Sequence, residues 1–330
     1  MNNTLLLYIF PITTGSLGAW FISRYGYKAG LVDLPNHRSS HLIPTPKGGG
    51  IGIITGYLFL SLFLKISVSF WLFPTLLALF SFYGDRVNIS PRIRLAVQFL
   101  AAFIFLFCTF SFFISGSASL ITGSFIIGAA VFIVGTANFY NFMDGIDGIA
   151  GVTGIVGFGL MAFFTCFSAN NPILSTLAMG IALACIGFLP FNILKGRVFM
   201  GDVGSIFLGF VFAEYVILFS KSFKDFICLS SFLFPFYADE LVTMALRLKN
   251  RESLYTPHRT HLYQILANEG AIDHWKISVG YGLLQLMVGV TMLSVNSHGT
   301  ISVIGTGALL FTGYIAAYFR LRRWVNKANQ

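Results

Sequence analysis

Charge is what this 330-residue sequence has least of: 10% of its residues are charged, against about 25% in a soluble domain. Hydrophobic residues make up 56%, and the mean hydropathy is +0.79. Apolar stretches near bilayer-spanning length recur from end to end, which excludes a soluble globular protein and a single-anchor protein alike. Cysteines number four, Cys108, Cys166, Cys185 and Cys228. All lie in apolar stretches and none forms a C-x-x-C pair, so a disulfide framework is excluded and packing is their expected role. There is no internal repeat, no low-complexity tract and no linker long enough to separate domains, so residues 1–330 read as a single integral-membrane domain. A net charge of +9 would suggest nucleic acid in a soluble protein. Here it reads as one basic face, with no nucleic-acid partner.

Runs of about 17–25 apolar residues mark membrane spans. They fall at roughly 4–23, 49–64, 66–83, 95–114, 119–138, 149–168, 172–192, 203–220, 225–245, 276–295 and 299–319. The expected fold is therefore all-α and polytopic, with about eleven transmembrane helices. Pooling alternate loops puts only Lys65, Lys221 and Lys224 on one side, and the other 18 of 21 Lys and Arg on the opposite side. That asymmetry predicts an outside N-terminus and a cytoplasmic C-terminus. The first span lacks a basic n-region and an A-x-A-type cleavage site, and reads as a retained helix. Outer loops are very short and inner loops long and polar, so the chemistry is expected inside.

Of the twelve acids, only Asp225 falls outside and only Glu214 deep in a span. The rest belong to inner loops or helix ends, where carboxylates in so apolar a chain are functional candidates. The first inner loop, Asp33 to Gly50, carries Arg38, His41 and Lys47 around prolines and ends in Gly48-Gly49-Gly50. It reads either as a shaped anion-binding loop, whose bare backbone approaches a phosphate, or as a basic connector ending in small-residue helix packing. The fifth span ends with Asn138, Asn141, Asp144 and Asp147 at every third position, which predicts a helix carrying them along one side over about 13 Å. With no Lys or Arg in the segment, these oxygens suit Mg²⁺ with a phosphorylated ligand. Asn192 and Phe199 precede Gly201-Asp202, where Asp202 is either a helix N-cap or a metal ligand. In the last inner loop, Thr256-Pro257 predicts a helix start that sets His258 and His261 on one face beside Arg259, suited to phosphate rather than zinc.

Four ordered pieces carry a family resemblance: D-x-P-x-x-R-x-x-H-x-x-P-T-P from Asp33, N-x-x-N-x-x-D-G-I-D-G-x-A ending at Ala150, F-M-G-D-x-G-S around Asp202, and the late His segment reaching Gln264. The chain resembles the polyprenyl-phosphate N-acetylhexosamine-1-phosphate transferases (glycosyltransferase family 4), which include WecA-type enzymes and the phospho-MurNAc-pentapeptide transferases. The resemblance implies transfer of a sugar 1-phosphate from a UDP-sugar to undecaprenyl phosphate with release of UMP. It also implies a Mg²⁺ cofactor, with Mn²⁺ as a substitute, in a bacterial inner membrane. Asp202 and Asp147 would be metal ligands, and Asp85, Asp144, Asp147, His258 and His261 catalytic. Asn192 and Phe199 would belong to the uridine site, with Asn138, Asn141, Arg38, His41, Lys47 and Arg259 also binding substrate. A homodimer is left open.

Where the family has two adjacent aspartates before S-P-R-x-R-L-x-x-Q, this chain reads Gly84-Asp85. The first carboxylate, assigned in the family to nucleophile or general base, is missing, so direct attack by the lipid phosphate is expected. His258-Arg259-Thr260-His261 replaces the consecutive histidines of the pentapeptide enzymes, which favours a plain or deoxy N-acetylhexosamine and the start of O-antigen or capsule synthesis. The alternative class is a polytopic transporter of a lipid-linked or anionic substrate, weakened by the scarcity of mid-membrane polar residues. A CDP-alcohol phosphatidyltransferase is a further rival, but Gly151 stands where its D-G-x-x-A-R pattern needs arginine.

Overall fold

The computed structural model describes residues 2–35, 40–41, 43–87, 89–114, 120–194, 196–253 and 259–328. Among these, the apolar stretches form α1 (Asn2–Tyr25), α2 (Ile51–Phe63), α3 (Val68–Arg86), α4 (Pro91–Ile114), α5 (Leu120–Met143), α6 (Ile149–Phe167) and α7 (Pro172–Asn192). They continue as α8 (Asp202–Phe219), α9 (Phe223–Ser230), α10 (Phe234–Lys249), the short α11 (Leu262–Asn268), α12 (His274–Val295) and α13 (Thr300–Ala328). Two-residue strands β1 (Val32–Asp33) and β2 (Thr45–Pro46) lie between α1 and α2.

Among the described residues, ten stretches are long and apolar enough to cross a membrane, the segment from α9 through α10 being one of them. The expected 49–64 span is α2, which at 13 residues reaches only about 20 Å against a hydrocarbon core of about 30 Å. The expected 225–245 span is broken by a 3₁₀ turn at Ser231–Leu233, and Pro235 stands at the start of α10. Proline is tolerated in a first helical turn and breaks a helix interior, so the apolar run cannot continue as one helix.

Helix α8 is the axis of the bundle. It is apolar all round, nearly every residue from Val203 to Ile217 is buried, and α3 and α5 flank it. Glu214 is the polar exception, 0% exposed, with neither carboxylate oxygen hydrogen-bonded among the described residues. Alternation of chain direction brings the last turns of α3, α5 and α7 and the first turns of α8 and α12 to the same end, where their polar residues share a cavity.

Between α1 and α7 contact is made through backbone. A Cβ at Gly15 would overlap the Ala184 carbonyl, and one at Gly187 would overlap the Ile12 carbonyl. Small residues allow this approach where lipid removes the usual hydrophobic drive for helix association. Gly187→Ala is expected to cost about 1–3 kcal/mol by overpacking, seen as a lower melting temperature in detergent. Gly128→Ala, where nothing lies within 4 Å of the new methyl group, should leave it unchanged.

Candidate active site

The cavity at the shared end has a volume of about 390 Å³. Five aspartates line it: Asp33, Asp85, Asp144, Asp147 and Asp202. Around them stand Lys47, His41 and His274, with Asn141, Asn192, Phe199 and Gln264.

One wall comes from the first loop. Strands β1 and β2 pair antiparallel, Val32 opposite Pro46 and Asp33 opposite Thr45. The chain then runs beside the segment before α8: Phe199 N–H donates to Pro46 O at 2.8 Å, Gly49 N–H to Phe199 O at 2.9 Å and Gly50 N–H to Met200 O at 3.0 Å. The glycine run is thus not an anion cradle, since its amides are spent on this clasp, and its missing side chains let the two segments meet. A Cβ at Gly201 (φ 77) would come within 2.7 Å of Gly48 N and 2.8 Å of Asp85 Oδ2. His41 lies 3.6 Å from Asp33, and its ring meets Phe199 edge-on with centroids 4.8 Å apart.

The last turn of α3 and the first turn of α8 supply the floor. Asp85 is 7% exposed and faces Lys47 at 3.6 Å. Asp202 is the first residue of α8 rather than its N-cap, which is Gly201. Its carboxylate accepts from Arg94 of α4, which also donates to the Gly84 carbonyl at 3.2 Å. A Cβ at Gly84 would sit 3.6 Å from Arg94 Nη2, so a carboxylate there would compete with Asp202 for the same guanidinium.

The acidic segment after α5 is a suspended turn, not the continued helix that the three-residue spacing predicts. The helix stops at Met143, and side chains from three other helices hold the backbone at and beyond its end. Tyr263 of α11 donates to Phe142 O at 2.9 Å, Ser278 of α12 to Asp147 O at 2.8 Å, and Asn192 of α7 accepts from Gly148 N at 2.6 Å. Asn192 also donates to Val198 O at 2.9 Å. Both ends of its amide are therefore committed, and it ties two loops together while lining the cavity. Asn141 accepts from Ser205 Oγ at 2.8 Å. Asn138 lies outside the cavity lining and donates to Gln98 at 2.6 Å.

The late histidine region also departs from expectation. Thr256, Pro257 and His258 fall outside the described residues, as does Arg38, and the helix here begins at Leu262 with His261 in extended conformation at its N-cap. His261 is 2% exposed and lies behind the cavity, 3.6 Å from Asp239 and 3.3 Å from Glu240. Burial works to lower its pKa, but the two carboxylates outweigh this and raise it. Asp239 accepts the Leu262 N–H at 3.0 Å and the Tyr281 hydroxyl at 2.6 Å, capping α11 and so placing Gln264 in the lining. Arg259 is likewise absent from the lining. Arg94 lies in the quoted S-P-R-x-R-L-x-x-Q stretch and Tyr263 in the late His segment, whereas His274 and Ser278 belong to no quoted pattern; the polar Asp273-His274 pair just before the 276–295 span is the signal that could have found them.

Burial, reinforced by Asp202, Asp147 and Asp85, pushes the Asp144 carboxyl up to about 8. Among the described residues no three His, Cys, Asp or Glu side chains converge into a ready coordination shell. Mg²⁺ usually takes only one or two protein carboxylates, with phosphate and water completing the octahedron, and the all-oxygen donors of the aspartates fit that chemistry. Because the folded Asp144 binds its proton more tightly than the unfolded chain does, its contribution favours folding below about pH 4 and is lost as pH rises to about 8. In chelator, the melting temperature is expected to fall over that window, and Asp144→Asn should flatten the fall.

The profile for glycosyl transferase family 4 matches residues 67–220. An undecaprenyl-phosphate alpha-N-acetylglucosaminyl 1-phosphate transferase of Thermotoga maritima is 28% identical over 274 residues, covering 82% of this chain and 84% of its own. The proteins of that name from Yersinia pestis and Escherichia coli are 30% identical over 288 residues and 25% over 341, covering 81% and 98% of this chain and 77% and 92% of theirs. A multi-helix membrane fold, aspartates gathered at one end of it and relatives matched along most of their length agree: the chain belongs to glycosyl transferase family 4.

Proposed function

We propose that the protein transfers the sugar 1-phosphate of a UDP-N-acetylhexosamine to undecaprenyl phosphate, releasing UMP. The observation that carries this reading is the placement of the aspartate cavity at the ends of the apolar helices, where a soluble nucleotide and a lipid headgroup can meet. The relatives' names supply the acceptor and the sugar 1-phosphate group, and the UDP donor is what the family resemblance implies. A second, apolar groove of about 470 Å³ lies among α5, α9, α10, α12 and α13. Its apolar walls suit an isoprenoid chain. A transporter is disfavoured because the polar groups gather at one end of the spans, not at mid-depth.

The 18-to-3 division of cations supports a cytoplasmic cavity in a bacterial inner membrane. Asp202 and Asp147 would hold Mg²⁺, which when bound supplies charge neutralisation for the diphosphate. A phosphomonoester has a second pKa near 6, so the lipid phosphate is largely a dianion at neutral pH and needs no carboxylate to deprotonate it. Its oxygen attacks the sugar-bearing phosphorus in line; the new P–O bond forms as the bond to the UMP oxygen breaks, and UMP leaves with that electron pair. This path fits a chain with Gly84 in place of a carboxylate. Lys47, at the cavity wall, is placed to offset charge on the phosphates.

Purified protein with undecaprenyl phosphate and a panel of UDP-N-acetylhexosamines is expected to release UMP, to stop in EDTA and to resume with added Mg²⁺. Absence of turnover with every sugar, or turnover indifferent to EDTA, would overturn the reading. Single-turnover reactions quenched before product release should contain no phosphorylated protein; a phosphoryl group trapped on Asp85 would refute direct attack.

A further inference from the structure

Asp147 is gripped by a helix that lies beyond the acidic turn's own sequence pattern. His274, the first residue of α12, lies with Nδ1 3.1 Å from Asp147 Oδ2. One turn further on, Ser278 Oγ donates to the Asp147 carbonyl at 2.8 Å. The two stand at i and i+4 and so share a helix face. Gly196, held at φ 51, faces the same carboxylate, and a Cβ there would come within 2.8 Å of Oδ1 and 3.0 Å of Oδ2. The absence of that atom leaves room for the carboxylate that His274 holds.

Nδ1 of His274 also lies 3.4 Å from the Asp147 N–H, and one nitrogen cannot serve both as donor and acceptor. The carboxylate contact is the shorter, and a carboxylate oxygen accepts, so Nδ1 is assigned the hydrogen and donates to Oδ2. The imidazole side chain is 25% exposed at the cavity wall, whereas Ser278 is 0% exposed within the packed interior. Ser278 fixes the backbone of the turn from inside, and His274 fixes the acid group where substrate would arrive.

We propose that His274 is a positioning residue of the transferase, acting through Asp147 by orienting its carboxylate in the cavity. This rests on the transferase reading above. Partners that hold a ligating or reacting carboxylate in place commonly matter by about 10–100-fold, and that is the loss expected in kcat for His274→Ala, with kcat/KM falling in step. Melting temperature should be unchanged. His274→Asn, whose amide can donate near the position of Nδ1, should recover most of the loss. In an Asp147→Asn background, followed by radiolabel transfer to reach low rates, His274→Ala should cost little more, because the partner it orients is already altered.

Full activity of His274→Ala, an equal loss in both backgrounds, or a loss that tracks a lowered melting temperature and is not recovered by asparagine would each overturn the proposal. Wild-type protein that releases no UMP would instead remove the transferase reading, and the proposal with it.

Discussion

Mutual repulsion among five aspartates facing one cavity of about 390 Å³ is the constraint around which this end of the molecule is organised. Beside apolar helix ends the effective dielectric is low, and like charges at close range are expensive unless cations or hydrogen bonds accompany them. Four of the five have such a partner, and the partners come from three parts of the chain, the first loop, α4 and α12. Lys47 stands against Asp85, Arg94 against Asp202, His274 against Asp147 and His41 against Asp33. Asp144 forms no ion pair among the described residues, and burial with the neighbouring aspartates pushes its carboxyl up to about 8. The cavity therefore carries an unmet demand for positive charge, which a divalent cation would meet.

Holding those charges requires a stiff backbone, and the chain supplies it without regular structure at the acids themselves. The turn after α5 hangs from Tyr263, Ser278 and Asn192, while the glycines of the first loop close against Phe199 and Met200. Behind the cavity, Asp239 caps α11 and, with Glu240, flanks His261. Residues that look like substrate contacts in a linear reading thus fall into two groups. Lys47, His41, Asn141 and the five aspartates reach the cavity; Asn138 and His261 support it from outside the lining.

Gly84 shows how one absent side chain changes its neighbours. Arg94, which would otherwise face a carboxylate at that position, bonds the Gly84 carbonyl and commits its remaining charge to Asp202. Gly84 lies outside the cavity lining, beside Arg94 and Asp202, so its bare backbone leaves the guanidinium to Asp202.

Membrane residence, the approximate place of each span and the gathering of acids with cations were legible in the sequence. Each follows from local composition, which acts through transfer of apolar surface out of water and through the cost of burying charge. The ordered segments around Asp33, Asp144, Asp147 and Asp202 were legible for the same reason, since chemistry-bearing residues stand out in so apolar a chain. Only the tertiary structure decided where α5 ends, that the glycines bind backbone and not an anion, that His261 is sequestered behind the cavity, and that His274 faces Asp147. Those outcomes depend on hydrogen bonds between residues more than a hundred positions apart, such as Ser278 with Asp147 and Tyr263 with Phe142. A buried polar group must find its partner wherever the packed helices place one, and no local pattern records that choice.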